Sequence, residues 1–270
     1  MNIILITGLF ALALAFILGF ALGFFQKFFA VAQDPLTDQI REALPGANCG
    51  ACGYPGCDAY ASAVASGQAG INSCSVGGVS TAEKLAALTG ASAAMVPVVA
   101  VVACRGSKAA APLKGEYTGL KTCRGAKIAT GGTKLCAWGC LGFGDCIQVC
   151  QFGALRMGDD GLPHVDGTKC TGCKLCIAEC PQLLIKEIPE GQKGALVICS
   201  NRNPLKVQVG KSCKNGCIKC ELCVKNCPAQ CITMDKGIPV VDYAKCTSCG
   251  ACTAKCPTKA IKLIQNDVGP

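Results

Sequence analysis

The chain has 270 residues, 25 of them cysteine, with 51% hydrophobic content, only 5% aromatics and a formal charge of +9. Hydrophobicity carried by Ala and Cys builds small cores, so groups held by cysteine act as core material and couple binding to folding. Tight, repeated cysteine spacings in a long chain with no convincing cleavable leader exclude a secreted disulfide scaffold. The charge count treats every thiol as neutral. Groups bound through deprotonated cysteines bring it down towards neutrality, which removes the nucleic-acid reading.

Residues 3–25 carry no charge, enough for a helix across a bilayer. Only Met1 and Asn2 precede the run, and the first charge, Lys27, follows it, so an uncleaved anchor with its carboxyl-terminal side in the cytoplasm is expected. Ala11, Ala15, Gly19 and Gly23 place small residues on one face, as in helices that dock against other membrane segments. A linker over 27–48, with a short helix between Pro35 and Pro45, leads to Cys49-x2-Cys52-x4-Cys57-x16-Cys74. Gly50, Gly53 and Gly56 let that backbone wrap closely, which suits one self-contained 4Fe-4S site in a module spanning 49–95. Ser80-x2-Glu83 predicts a capping box opening a helix to about Leu88, and the valine-rich stretch 98–103 within a connecting segment (96–135) predicts a strand.

From about residue 123 the sequence repeats itself at an offset of 76 to 77. Gly161-Leu162-Pro163-His164-Val165-Asp166 matches Gly237-Ile238-Pro239-Val240-Val241-Asp242; Cys140, Cys146 and Cys150 match Cys217, Cys223 and Cys227; and Cys136 matches Cys213. Two tandem two-cluster ferredoxin-like units of paired hairpins and short helices are expected, at 136–190 and 191–270. The fold class is thus α+β: one transmembrane helix, a small four-cysteine module and two bacterial-type ferredoxin units.

In such a unit, three thiolates come from one C-x2-C-x2-C loop and the fourth crosses from the other motif. The second unit then holds one cluster on Cys217, Cys220, Cys223 and Cys256, and another on Cys246, Cys249, Cys252 and Cys227. The proline after Cys227 and Cys256 belongs to the same motif. In the first unit, Cys170, Cys173 and Cys176 take Cys150. Its opening motif is irregular: Phe143 stands where Cys220 stands in the second unit. Cys136 is the expected replacement, joining Cys140, Cys146 and Cys180, with a 3Fe-4S cluster as the alternative. These 20 cysteines give five clusters. Cys104, Cys123, Cys199, Cys213 and Cys231 remain; the first four are candidates for a further site, and Cys231 reads as a small buried apolar residue.

Zinc is disfavoured, because zinc sites use two separated cysteine pairs. No Gly-x-Gly-x2-Gly or Walker sequence promises a nucleotide domain, and the lone His164 aligns with Val240 at a structural position. Lysines crowd the cysteine motifs, Lys219, Lys225, Lys245 and Lys255 among them, to offset cluster charge or steer an acidic carrier. With no substrate site in view, the chain reads as an electron conductor.

The order of modules resembles the B subunit of the Rnf electron-transport complex, in its long form with two ferredoxin units. The resemblance rests on the anchor, on Asn48-Cys49-Gly50-Ala51-Cys52-Gly53-Tyr54-Pro55-Gly56-Cys57 with Cys74, on Val102-Ala103-Cys104-Arg105-Gly106, and on Cys140-Leu141-Gly142-Phe143-Gly144-Asp145-Cys146. It implies a component of an ion-translocating ferredoxin:NAD oxidoreductase. Such a component takes electrons from reduced soluble ferredoxin and relays them through the Cys49–Cys74 module towards membrane partners that carry flavin, the nicotinamide site and the ion path. The rivals are a polyferredoxin subunit of a hydrogenase or formate-oxidising complex, and a zinc-bound membrane scaffold.

Overall fold

The computed structural model describes residues 2–28, 34–93 and 95–264. Helix α1 (Asn2–Phe28) contains, at residues 5–27, the one helix among the described residues long and apolar enough to cross a membrane. None of its described side chains is buried, and a Cβ added at Gly19 or Gly23 would meet nothing. The small-residue face is therefore uncovered within the chain.

Asp34 caps α2 (Pro35–Ala43), accepting a hydrogen bond from the Leu36 amide at 3.0 Å, with proline at the first helical position where its missing N–H costs nothing. Helix α2 packs with α3 (Cys57–Ala65) and α4 (Gly78–Thr89) around Ile40, Tyr60 and Leu85, each 1% exposed or less. Each contributes about 1.5–3 kcal/mol of burial, and the Tyr60 hydroxyl donates to the Gly70 carbonyl at 2.8 Å. The segment read from the sequence as a linker thus supplies one wall of this module. Helix α4 starts two residues before the expected capping box. The Ser80 hydroxyl donates back to the Gly77 carbonyl at 3.3 Å, so it serves no cap, and Gly90 in the left-handed region ends the helix.

The rest of the chain folds as two similar halves. The first contains β1 (Val98–Val102), α5 (Cys123–Thr130), α6 (Asp145–Gln148), β2 (Leu155–Met157), β3 (Pro163–Val165), α7 (Leu175–Glu179) and β4 (Ile185–Pro189). The second contains β5 (Gly194–Val197), α8 (Lys206–Ser212), α9 (Leu222–Lys225), β6 (Ile232–Asp235), β7 (Ile238–Val241), α10 (Ala251–Ala254) and β8 (Ile261–Ile264). In each, the first strand pairs antiparallel with the last and the middle two form a hairpin. The hairpin registers match across the repeat: Leu155 faces Val165 as Ile232 faces Val241. The segment read as a connector therefore provides β1 and α5 to the first half. The core of each half is small and cysteine-rich. Cys104, Cys140, Cys146 and Cys176 lie among the first half's buried residues, and Cys223, Cys231 and Cys252 among the second's.

Candidate metal centres

Cysteines gather at six places. In the helical module, Cys57 opens α3 and its amide is held by the Asn48 side-chain oxygen at 2.8 Å, which anchors the Cys49–Cys52 loop against the helix. Cys57 is part of the module's buried core, with Cys52 and Cys74 packed against it, and burial raises the pKa of Cys74, the fields of Cys57, Cys52 and Cys49 adding to the rise.

In the halves, the loops that present consecutive cysteines share one backbone device. Two left-handed residues flank the central position: Gly142 and Gly144, Gly172 and Lys174, Lys219 and Glu221, Ser248 and Gly250. Alternation of right- and left-handed residues turns successive amides into one concavity, an anion cradle. Four of the eight are not glycine, and such residues keep this conformation, at about 1 kcal/mol each, only where the surroundings demand it. At Gly172 an added Cβ would also collide with the Val98 carbonyl oxygen, so β1 seals that loop only because glycine is there.

Cys150, Cys170, Cys173 and Cys176 line a cavity under β1, with the Ala100 amide aimed at the Cys170 sulfur at 3.4 Å. Cys217, Cys220, Cys223 and Cys256 line another, and the Ala260 amide points at the Cys256 sulfur at 3.2 Å. Cys227 and Cys246 pack on the second half's core beside Cys252, which feels the fields of Cys246 and Cys249. Buried Cys231 sits 3.4 Å from Cys227, sulfur to sulfur.

The irregular motif differs from the sequence expectation. The cavity lined by Cys140, Cys146 and Cys180 is completed by Cys123, not by Cys136. The loop 142–144 keeps the cradle of its repeat partner, but Phe143 packs against Tyr117, ring centroids 5.8 Å apart, and supplies no thiol. The substitute comes from α5. The buried Asp145 carboxylate accepts the Cys123 amide at 2.8 Å and the Arg124 amide at 3.1 Å, fastening the N-terminus of α5 to the helix that carries Cys146. A carboxylate there also suits the positive helix end. Asp145→Ala leaves two amides without their acceptor, at a cost of about 1–3 kcal/mol. It is expected to loosen Cys123, with chelator challenge stripping iron from this site before the others. Asp145→Asn, which keeps an acceptor, should fall between.

Cys136 lies in a different cavity, with Cys104, Cys199 and Cys213, on the seam between the halves. Burial pushes its thiol up to about 11, and the fields of Cys104, Cys213 and Cys199 add to the rise. The seam site is built from repeat equivalents: Cys104 and Cys199 each follow the first strand of a half by two residues, and Cys136 matches Cys213. The Cys140 amide donates to the Cys104 sulfur at 3.4 Å as the Cys217 amide does to the Cys199 sulfur at 3.2 Å. The Asn201 amide group reaches the Cys136 sulfur at 3.5 Å.

This donor set fits iron–sulfur clusters. Among the described residues, no group of three or more His, Cys, Asp or Glu is placed to hold a single metal ion. The thiols instead ring cavities into which amides point, the arrangement that stabilises thiolates on a multinuclear, anionic core. His164, paired with Asp160 at 3.1 Å on the first hairpin, has no part in any of these sites.

Three family models match: a putative Fe-S cluster at residues 44–76, a 4Fe-4S binding domain at 163–186 and a 4Fe-4S dicluster domain at 216–260. The chain is 44% identical, over 95% of its own length and 75% of the relative's, to the B subunit of the Na(+)-translocating ferredoxin:NAD(+) oxidoreductase complex of Acetobacterium woodii. It is 40% identical to the B subunit of the ion-translocating oxidoreductase complex of Methanosarcina acetivorans, over 97% of this chain and all of the relative. With the B subunit of the proton-translocating ferredoxin:NAD(+) oxidoreductase complex of Clostridium ljungdahlii it shares 41% identity, over 98% of this chain and 94% of the relative.

Proposed function

We propose, from the premise that this chain belongs to the B-subunit family of ion-translocating, Rnf-type oxidoreductase complexes, that it carries six 4Fe-4S clusters and conducts electrons from a soluble ferredoxin into the complex. As a member of that family with 4Fe-4S domains, it is an iron–sulfur electron-transfer subunit of an ion-translocating ferredoxin:NAD oxidoreductase, and other subunits of the complex are its partners. The relatives' names point away from a hydrogenase or formate-oxidising complex. The apolar helix α1 fits membrane association, and we place the cluster-bearing residues on the cytoplasmic side.

The observation that carries the reading is the grouping of cysteines in fours around cavities with amides aimed at their sulfurs. The ligand sets we assign are Cys49, Cys52, Cys57 and Cys74; Cys123, Cys140, Cys146 and Cys180; Cys150, Cys170, Cys173 and Cys176; Cys217, Cys220, Cys223 and Cys256; Cys227, Cys246, Cys249 and Cys252; and, on the seam, Cys104, Cys136, Cys199 and Cys213. When bound, each cluster supplies a one-electron site whose potential the surrounding amides and burial adjust. The two halves act as tandem ferredoxin units of two clusters each, joined by the seam.

Charge supports the donor's place of docking. Residues 191–270 hold 12 Lys and Arg against 4 Asp and Glu, an excess of eight out of the chain's nine. Cys249 is the one exposed cysteine, close in sequence to the exposed Lys245. An acidic carrier is therefore drawn to the second half. Anaerobic preparation should give about 24 iron per chain and rapid reduction by reduced ferredoxin, at a rate that falls with salt. Stoichiometric zinc without iron, or no reduction by ferredoxin, would end the reading.

A further inference from the structure

Lys134 is 3% exposed. Its ammonium donates to the Gly106 carbonyl at 2.6 Å, and among the described residues no carboxylate lies within ion-pair reach of it. A lysine is almost never buried this deeply without a counter-charge. The repeat does not impose the burial, because its equivalent in the second half, Lys211, is exposed. The carbonyl that holds it belongs to Gly106, which lines the seam cavity with Cys104, Cys136, Cys199 and Cys213. A Cβ on Gly106, the residue that accepts its hydrogen bond, would stand 3.5 Å from the Cys104 sulfur and 3.7 Å from that of Cys213. The field of Lys134 reaches Cys213 and Cys140, favouring their thiolate forms against burial.

We propose that Lys134 is the built-in counter-charge of the seam site, stabilising thiolate-bound iron there and making the seam cluster easier to reduce than it would otherwise be. The inference rests on reading the Cys104, Cys136, Cys199 and Cys213 cavity as a cluster site. Reduction adds negative charge to that cluster, and a fixed cation beside it in a poorly solvated place favours the reduced state.

The test is a redox titration followed by EPR on the iron-loaded, detergent-solubilised full chain. Lys134→Met and Lys134→Gln should move the midpoint of one signal, the one abolished by Cys136→Ala, to more negative potential. Its reduction equilibrium should fall by roughly tenfold or more. Lys134→Arg should hold the wild-type midpoint, and Lys211→Met should change nothing. Lys134→Gln retains a donor for Gly106. A wild-type midpoint in that variant would mean that the hydrogen bond matters and the charge does not, overturning the proposal. Unshifted midpoints with full iron content in Lys134→Met overturn the role of Lys134 alone. Failure of both Cys136→Ala and Cys199→Ala to lose iron would remove the seam cluster itself, and the proposal with it.

Discussion

Cys123→Ala and Cys136→Ala are each expected to lower iron from about 24 to about 20 per chain, and the double variant to about 16. The two cysteines line different cavities, so their losses add. If both served the irregular motif, the double variant would lose no more than either single one. EPR should separate the two losses, since Cys123→Ala removes a signal enclosed within the first half. Cys136→Ala removes one whose neighbours lie in both halves, so the remaining signals on either side of the seam should show altered spin–spin broadening. Iron quantitation alone decides between the assignments, and the spectra say which site was lost.

Removing iron is expected to collapse most of the α+β structure of residues 98–264, read as loss of far-UV circular dichroism on chelation. Many of the buried residues there are thiols facing cavities, so much of the core depends on what they hold. Without iron these thiols are buried and protonated. Desolvation pushes Cys140, Cys146 and Cys176 up to about 12 and Cys136 and Cys223 up to about 11, from an ordinary value of 9.0. A folded-state pKa above the unfolded one gives stability that is complete below pH 9 and is lost as pH rises through the folded value. Whatever iron-free structure persists should therefore weaken between pH 9 and about 12, by about 1.4 kcal/mol per pH unit for each thiol in its window. Iron-loaded protein has no such window, because its thiolates are already deprotonated. It should instead lose iron in acid, where protons compete for sulfur. Chelation followed by circular dichroism across pH tests both senses, and an iron-free chain indifferent to alkali would show that these thiols are not buried in it.

Much of this architecture was legible because cysteine spacing records loop geometry directly. A C-x2-C-x2-C run leaves room only for a tight turn with left-handed residues, and the structure has them at Lys219 and Glu221, and at Ser248 and Gly250. The anchor was equally plain, since 23 uncharged residues have few other uses. Cys123 was not legible: its partner Cys140 lies beyond a helix and two turns, and tertiary contacts, those of the Asp145 carboxylate, Glu179 and Gln182, bring α5 to it. Yet Cys136 carried a usable signal. Its repeat equivalent, Cys213, is surplus to a complete ligand set of Cys217, Cys220, Cys223 and Cys256, so symmetry argued that Cys136 was surplus too. Proximity in sequence to Cys140 outweighed that argument. The buried Lys134 left no trace at all, because its pattern equals that of exposed Lys211.

The seam binds two halves that could otherwise melt as separate bodies. On the proposed assignment two of its thiols come from each, so opening either half would forfeit the whole coordination energy of that metal core, whichever half gives way. Residues 98–264 should then unfold in calorimetry as a single cooperative block, and cutting one seam cysteine should split that endotherm in two. An apolar contact backs this metal joint, in which Val99, Val101 and Ile188 of the first half pack with Leu196 and Ile198 of the second.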